Sequence, residues 1–320
     1  MNTDFIKGVI VPILTPINEN EFIDEAKLRE QVNYVIEGGV SGILAFGSNG
    51  EFYVIEEDEM ERGLKIMIDQ AAGRVPVYFG IGAISTKKCC RLAKMAADNG
   101  AAGISVLQPM FLKPTEDELY LHFKTIAECV PETPVLLYNN PGRVNYTMSG
   151  KLVERLAHEV PNIVGMKDTS GDITQTAEFI RRTRDVGFKV FGGKDTLLYA
   201  SMCHGAVGGV CTAANFMPEL IVDVYNKYVA GDLKRSLEAQ FTTFISFCCM
   251  RIQSFKRIPS LNALNERCSM NDMPSICILL TFAPYSLCIP SLWLRSFSRS
   301  LIIRRLSILV LEALLFLFLQ

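Results

Sequence analysis

Glycine vanishes from the last quarter of this chain. All 23 glycines precede Thr243, and none occurs from Thr243 to Gln320. Acidic residues thin out over the same stretch to Glu266, Asp272 and Glu312, against eight Lys and Arg. The break reads as a shifted reading frame or an alternative terminus near residue 242. It sets a C-terminal extension (233–320, divergent from about 243) apart from a first domain over 1–232. Histidine is scarce, with only His122, His158 and His204, and no HxxxH or CxxC spacing occurs. Zinc patterns are thereby excluded, and the adjacent pairs Cys89-Cys90 and Cys248-Cys249 do not make a disulfide framework. Ten cysteines in so apolar a chain read as reduced core residues, so a cytoplasmic protein is expected. Excess basic charge is lacking too: the net charge is -2 and the pI about 6.0, which argues against a nucleic-acid partner. The N-terminal MNTDFIKGVIVPI has neither a long apolar signal core nor a small-residue cleavage site. The apolar stretch Leu306 to Leu319 is interrupted by Ser307 and Glu312 and is shorter than the roughly 20 residues of a membrane span. No membrane association is expected.

What is present is a repeat. A short apolar run, a polar loop, an amphipathic helix and a small-residue break recur through the first 230 residues. The spacing predicts strands over 8–16, 42–47, 75–82, 103–109, 134–141, 163–167, 189–193 and 208–213. It predicts helices over 24–37, 55–72, 87–98, 116–128, 149–160, 173–185, 195–203 and 218–230. The strands are continuous apolar runs, as expected for a parallel sheet buried on both faces. Right-handed crossovers of this length close into an α/β (βα)8 barrel, a TIM barrel, here followed by an atypical extension. An open doubly wound sheet would carry GxGxxG after an early strand, and none is present.

In such a barrel the chemistry lies where strands end. The sixth strand, Ile163-Val164-Gly165-Met166, ends in Lys167. Burying an ammonium costs several kcal/mol unless it is paired or neutral, and a neutral lysine attacks carbonyls to form a Schiff base. The plain alternative is a strand-end lysine that reaches solvent or pairs with Asp168. After the second strand comes GSNGE (Gly47 to Glu51), whose glycines let backbone N–H groups turn toward a carboxylate. After the fifth comes YNNPGR, where Tyr138 offers a phenol for proton transfer and Arg143 a planar fork for a carboxylate. The seventh ends in Gly192-Gly193-Lys194-Asp195. An amine, a phenol, a hydroxyl and a carboxylate-binding turn at one mouth fit Schiff-base chemistry on a 2-oxo acid.

GSNGE, YNNPGR and GMKDTSGD, in this order and spacing, are similar to the motifs of a known family. The chain over about 5–240 resembles the dihydrodipicolinate synthase and N-acetylneuraminate lyase family. The resemblance implies a (βα)8 barrel of pyruvate-dependent class I lyases or aldolases, usually homotetrameric, with no cofactor and no metal. It implies small-molecule partners, pyruvate and an aldehyde, and a homo-oligomer, tetramer or dimer. On it, Lys167 matches the Schiff-base lysine, Tyr138 the proton-shuttling tyrosine and Ser48 the relay hydroxyl. Ser48 and Asn49 match positions whose backbone amides hold the pyruvate carboxylate. Arg143 matches an arginine that meets the second substrate's carboxylate. Val210 matches a strand-eight residue whose backbone lines the pyruvate site.

Three departures from that pattern stand out. Phe111 occupies the place of a tyrosine donated across a dimer interface into the proton relay. Asn49 replaces a second threonine. GGKDT lacks the acidic pair that the sialic-acid lyases use on sugar hydroxyls. The mixture leaves open a synthase and an aldolase for another 2-oxo acid, of the 4-hydroxy-2-oxoglutarate, 2-keto-3-deoxy sugar acid or N-acetylneuraminate type. Outside catalysis it leaves an assembly-defective or ligand-binding barrel. A phosphate cup at Gly192-Gly193 and Gly208-Gly209 is the weakest alternative, because carboxylate access and tight packing already account for these glycines.

Overall fold

The computed structural model describes residues 1–243. The expectations for the remainder of the extension, including the apolar stretch Leu306 to Leu319, lie outside the described residues. Eight parallel strands close a barrel in chain order: β1 (Gly8–Pro12), β2 (Gly42–Ala45), β3 (Val77–Ile81), β4 (Gly103–Leu107), β5 (Val135–Asn139), β6 (Ile163–Asp168), β7 (Lys189–Gly192) and β8 (Gly208–Val210). β8 pairs back onto β1 through Gly8↔Gly208, Val9↔Gly209 and Ile10↔Val210. That seam requires glycine at 208, where φ is +153° and a Cβ would lie 2.0 Å from Gly8 O.

The helices that pack outside are α1 (Glu25–Glu37), α2 (Glu57–Ala71), α3 (Thr86–Asp98), α4 (Glu116–Glu128), α5 (Pro141–Val144), α6 (Gly150–Glu159), α7 (Ile173–Thr183), α8 (Leu198–Cys203) and α9 (Pro218–Val229). Their starts follow capping chemistry. Asp24, Ser85, Ser149 and Asp172 each accept a backbone N–H of the first turn, and Thr115 and Glu118 form a reciprocal capping box at α4. Residues 233–243 are helical as well. They pack on the barrel, with Ser236, Ala239, Gln240 and Thr243 buried.

Strand alternation divides the apolar residues between two cores. Ile10, Leu44, Tyr78, Leu136, Phe191 and Val210 fill the barrel interior. Val9, Val11, Ile43, Ala45, Val77 and Phe79 face the helical layer. The Tyr78 ring takes room that two glycines leave: a Cβ at Gly42 or Gly103 would come within 3.1 Å of it. Every predicted strand and helix exists. Seven of the eight strands stop earlier than predicted, most visibly β1, where the backbone from Leu14 on bonds elsewhere, whereas β6 runs one residue further, to Asp168. Leu14 N–H, for instance, donates to Asn215 Oδ1 at 3.0 Å. Among the described residues no helix is long and apolar enough to cross a membrane.

Candidate active site

Lys167 sits near the C-terminal end of β6 and is only 5% exposed. It does not pair with Asp168. That carboxylate, on the opposite side of the strand, accepts Asn139 Nδ2 at 2.9 Å and Ser170 N–H at 3.1 Å on Oδ1. Its Oδ2 accepts Ser170 Oγ at 2.9 Å and Thr176 Oγ1 at 2.6 Å. With its acceptors filled, Asp168 leaves Lys167 to the barrel side, where Nζ lies 4.4 Å from the centroid of the Tyr138 ring. The register produces this meeting, since Tyr138 and Lys167 are partners across β5 and β6.

Tyr138 is buried, and its hydroxyl is held from two directions. Asn140 donates Nδ2–H to it at 2.8 Å, and it shares a hydrogen bond with Ser48 Oγ at 3.3 Å in which either oxygen can donate. Burial pushes the phenol's pKa up, but the Lys167 ammonium and the nearby Ser48 and Thr169 hydroxyls together outweigh burial, so it falls below the ordinary 10.0.

Ser48 opens a single 3-10 turn, Ser48–Gly50, after Phe46 and Gly47 lead out of β2. Non-glycine residues in left-handed conformations flank it, Phe46 at φ +50° and Glu51 at φ +56°. Strain of this kind persists only where the surroundings fix it, and it gathers at functional sites. Thr15 Oγ1 donates to Gly50 O at 2.8 Å, and Asn49 Nδ2 donates to Thr212 Oγ1 at 2.6 Å. The Asn49 side chain is thus tied to the loop after β8. Asp195 in turn accepts Thr212 N–H at 3.0 Å and Ala213 N–H at 2.7 Å. Burial nonetheless raises the pKa of this carboxylate above its usual range.

These groups share one cavity of about 650 Å3, within the range of small-molecule sites. Ser48, Asn49, Tyr138, Arg143 and Lys167 all line it. Val210 does not; it packs with Ile10 and Phe191 in the barrel interior. Asn140, Thr169, Lys194, Asp195 and Thr212 also line the cavity, although their sequence context assigned them no role. Thr169 follows Lys167 by two residues, the strand repeat that returns to the same side, and its Oγ1 is buried with no partner among the described residues. Phe111 lies outside the wall, 91% exposed at φ +72°. Among the described residues no three His, Cys, Asp or Glu side chains gather as a metal site would need.

The model of the dihydrodipicolinate synthetase family matches residues 5–253. The chain belongs to that family. It is 39% identical over 248 residues to a 4-hydroxy-tetrahydrodipicolinate synthase of Trichlorobacter lovleyi, covering 78% of this chain and 84% of that one. A synthase of the same name from Methanopyrus kandleri is 36% identical, with 74% and 78% covered. Among solved structures, the chloride-inhibited dihydrodipicolinate synthase of Acinetobacter baumannii, complexed with pyruvate, superposes with a TM-score of 0.71 at 35% identity, covering 74% of this chain and 80% of that one. Membership of the dihydrodipicolinate synthetase family makes the protein a pyruvate-dependent class I aldolase, a carbon–carbon lyase.

Proposed function

We propose that Lys167 forms the Schiff base and that the cavity condenses pyruvate with an aldehyde carrying a carboxylate. The observation that carries this is the grouping of Lys167, Tyr138 and Ser48 around one buried point. The Lys167 amine attacks C2 of pyruvate, and water leaves as the iminium forms. Loss of a C3 proton gives an enamine; C3 then adds to the aldehyde carbon, whose oxygen takes up a proton, and water cleaves the C2–N bond of the resulting iminium to release the product and the Lys167 amine. Tyr138, lowered in pKa and linked to Ser48, carries the protons that leave and return. The backbone N–H groups of Ser48 and Asn49 hold the pyruvate carboxylate, the backbone at Val210 completes the pyruvate site, and Arg143 takes the carboxylate of the aldehyde.

The best-named activity is that of 4-hydroxy-tetrahydrodipicolinate synthase, with aspartate 4-semialdehyde as the aldehyde, in keeping with the names of the relatives. A second reading, an aldolase for another 2-oxo acid such as 4-hydroxy-2-oxoglutarate, is favoured by Phe111, which has no phenol to lend a relay. Turnover of the purified full chain with pyruvate and either aspartate 4-semialdehyde or glyoxylate separates the two. The synthase reading expects the former to be consumed at least tenfold faster, and the reverse order replaces it with the second. We further propose a cytoplasmic homo-oligomer. Cys89, Cys90, Cys129, Cys203 and Cys211, which form no disulfide among the described residues, support the compartment, and the exposed Phe111 and Leu112 support the assembly.

A further inference from the structure

Lys194 leaves β7 in the wall of the same cavity, and the chemistry above gives it no task. Its backbone is fixed on several sides. Gly193 N–H donates to Asp168 O at 2.7 Å, and Leu197 N–H donates to Lys194 O at 2.9 Å. Gln240, on the helix that follows the barrel, donates Nε2–H to Asp195 O at 3.0 Å while its Oε1 accepts Tyr199 N–H at 2.9 Å. The aliphatic stem of Lys194 crosses Gly171, which is at φ +78°. A Cβ there would stand 3.5 Å from Lys194 Cε and 3.9 Å from Cγ. The stem thus runs within ordinary van der Waals reach of position 171.

The strand order β5-β6-β7 sets Arg143 and Lys194 on the connections either side of the one that follows Lys167. Both cations line the cavity, and neither forms an ion pair among the described residues. The one carboxylate in the wall, Asp195, is turned to the N–H groups of Thr212 and Ala213. Two solvent-exposed cations lining one cavity, neither held in an ion pair among the described residues, raise the local concentration of anions and orient them.

We propose that Lys194 joins Arg143 in a two-cation clamp for the aldehyde's carboxylate, so that Lys194 is a specificity-determining residue favouring anionic over neutral aldehydes. The proposal rests on the Schiff-base reading. Its test uses the full chain at saturating pyruvate with succinic semialdehyde, which carries the carboxylate, and butanal, which does not. Lys194→Ala lowers the ratio of kcat/KM for the two aldehydes about tenfold, equivalent to about 1.4 kcal/mol. Lys194→Glu lowers it further, and Lys194→Arg keeps it within about threefold of the unsubstituted chain. An equal loss on both aldehydes, or an unchanged ratio in Lys194→Ala, overturns the clamp. Borohydride trapping of pyruvate on each protein separates the levels of failure. Imine on Lys167 with an unchanged ratio refutes the clamp alone, whereas no imine on the unsubstituted chain refutes the Schiff-base reading and the clamp with it.

Discussion

Tyr138→Phe removes one oxygen from the centre of the site. The ring stays, so the packing around it and the contact with Lys167 Nζ at 4.4 Å are retained. What is lost is the acceptor for Asn140 Nδ2 at 2.8 Å and the partner of Ser48 Oγ at 3.3 Å. Leaving a buried donor unpaired costs about 1–3 kcal/mol, and the lower end applies because Asn140 lines the cavity and has room to turn. The denaturant midpoint should therefore move little. A positioned proton carrier contributes roughly 10²- to 10⁴-fold, so kcat should fall by that factor. KM for pyruvate should change only a few-fold, since the turn over Ser48–Gly50 is untouched. The pH profile adds a second check. With the phenol of the free enzyme lowered by the Lys167 ammonium and the Ser48 and Thr169 hydroxyls against the pull of burial, the alkaline limb of kcat/KM should begin below pH 10.0 and be absent from the residual activity of Tyr138→Phe. A folded variant that keeps kcat within threefold of the unsubstituted protein would refute the proton-carrier argument.

Three further outcomes are expected. Tyr78→Phe should raise stability by about 1 kcal/mol in urea unfolding, because Tyr78 Oη is buried in the barrel interior with no partner among the described residues. His122 is buried and its pKa is pushed down to about 4 from 6.5, by desolvation. Below pH 6.5 the unfolded chain takes up a proton that the folded chain refuses, so stability should decline from there toward pH 4 by up to about 3 kcal/mol. His122→Gln should flatten that part of a stability–pH curve, and an unchanged slope would assign the acid sensitivity to other groups. Phe111→Tyr, at a position 91% exposed, should leave the melting temperature unchanged and raise turnover with aspartate 4-semialdehyde if the synthase reading holds; no gain would favour the other aldolase.

The barrel was legible because its signals are local. Each strand is a short apolar run buried on both faces, and the caps at Asp24, Ser85, Thr115, Ser149 and Asp172 are written next to the helices they start. Lys167, Tyr138, Ser48, Asn49 and Arg143 were legible because a strand end in this architecture has a known destination, and the structure gathers all five. The one-turn helix α5 after Asn140 was not, since a Pro-Gly turn and a first helical turn look alike in sequence. The supporting partners were hidden by distance along the chain. Asn49 meets Thr212 across 163 positions, and Gln240 reaches Asp195 across 45. No local pattern encodes either contact; only closure of the barrel and the docking of residues 233–243 bring them together.

The central claim is that the Lys167 amine, and no other, takes up pyruvate. Sodium borohydride reduction in the presence of pyruvate, followed by peptide mass analysis, measures this directly. The account predicts a pyruvate-dependent mass gain confined to the peptide containing Lys167 and lost in Lys167→Arg, because a guanidinium does not form the imine. No gain on the folded protein, or a gain on the peptide containing Lys194, which lines the same cavity, would contradict it.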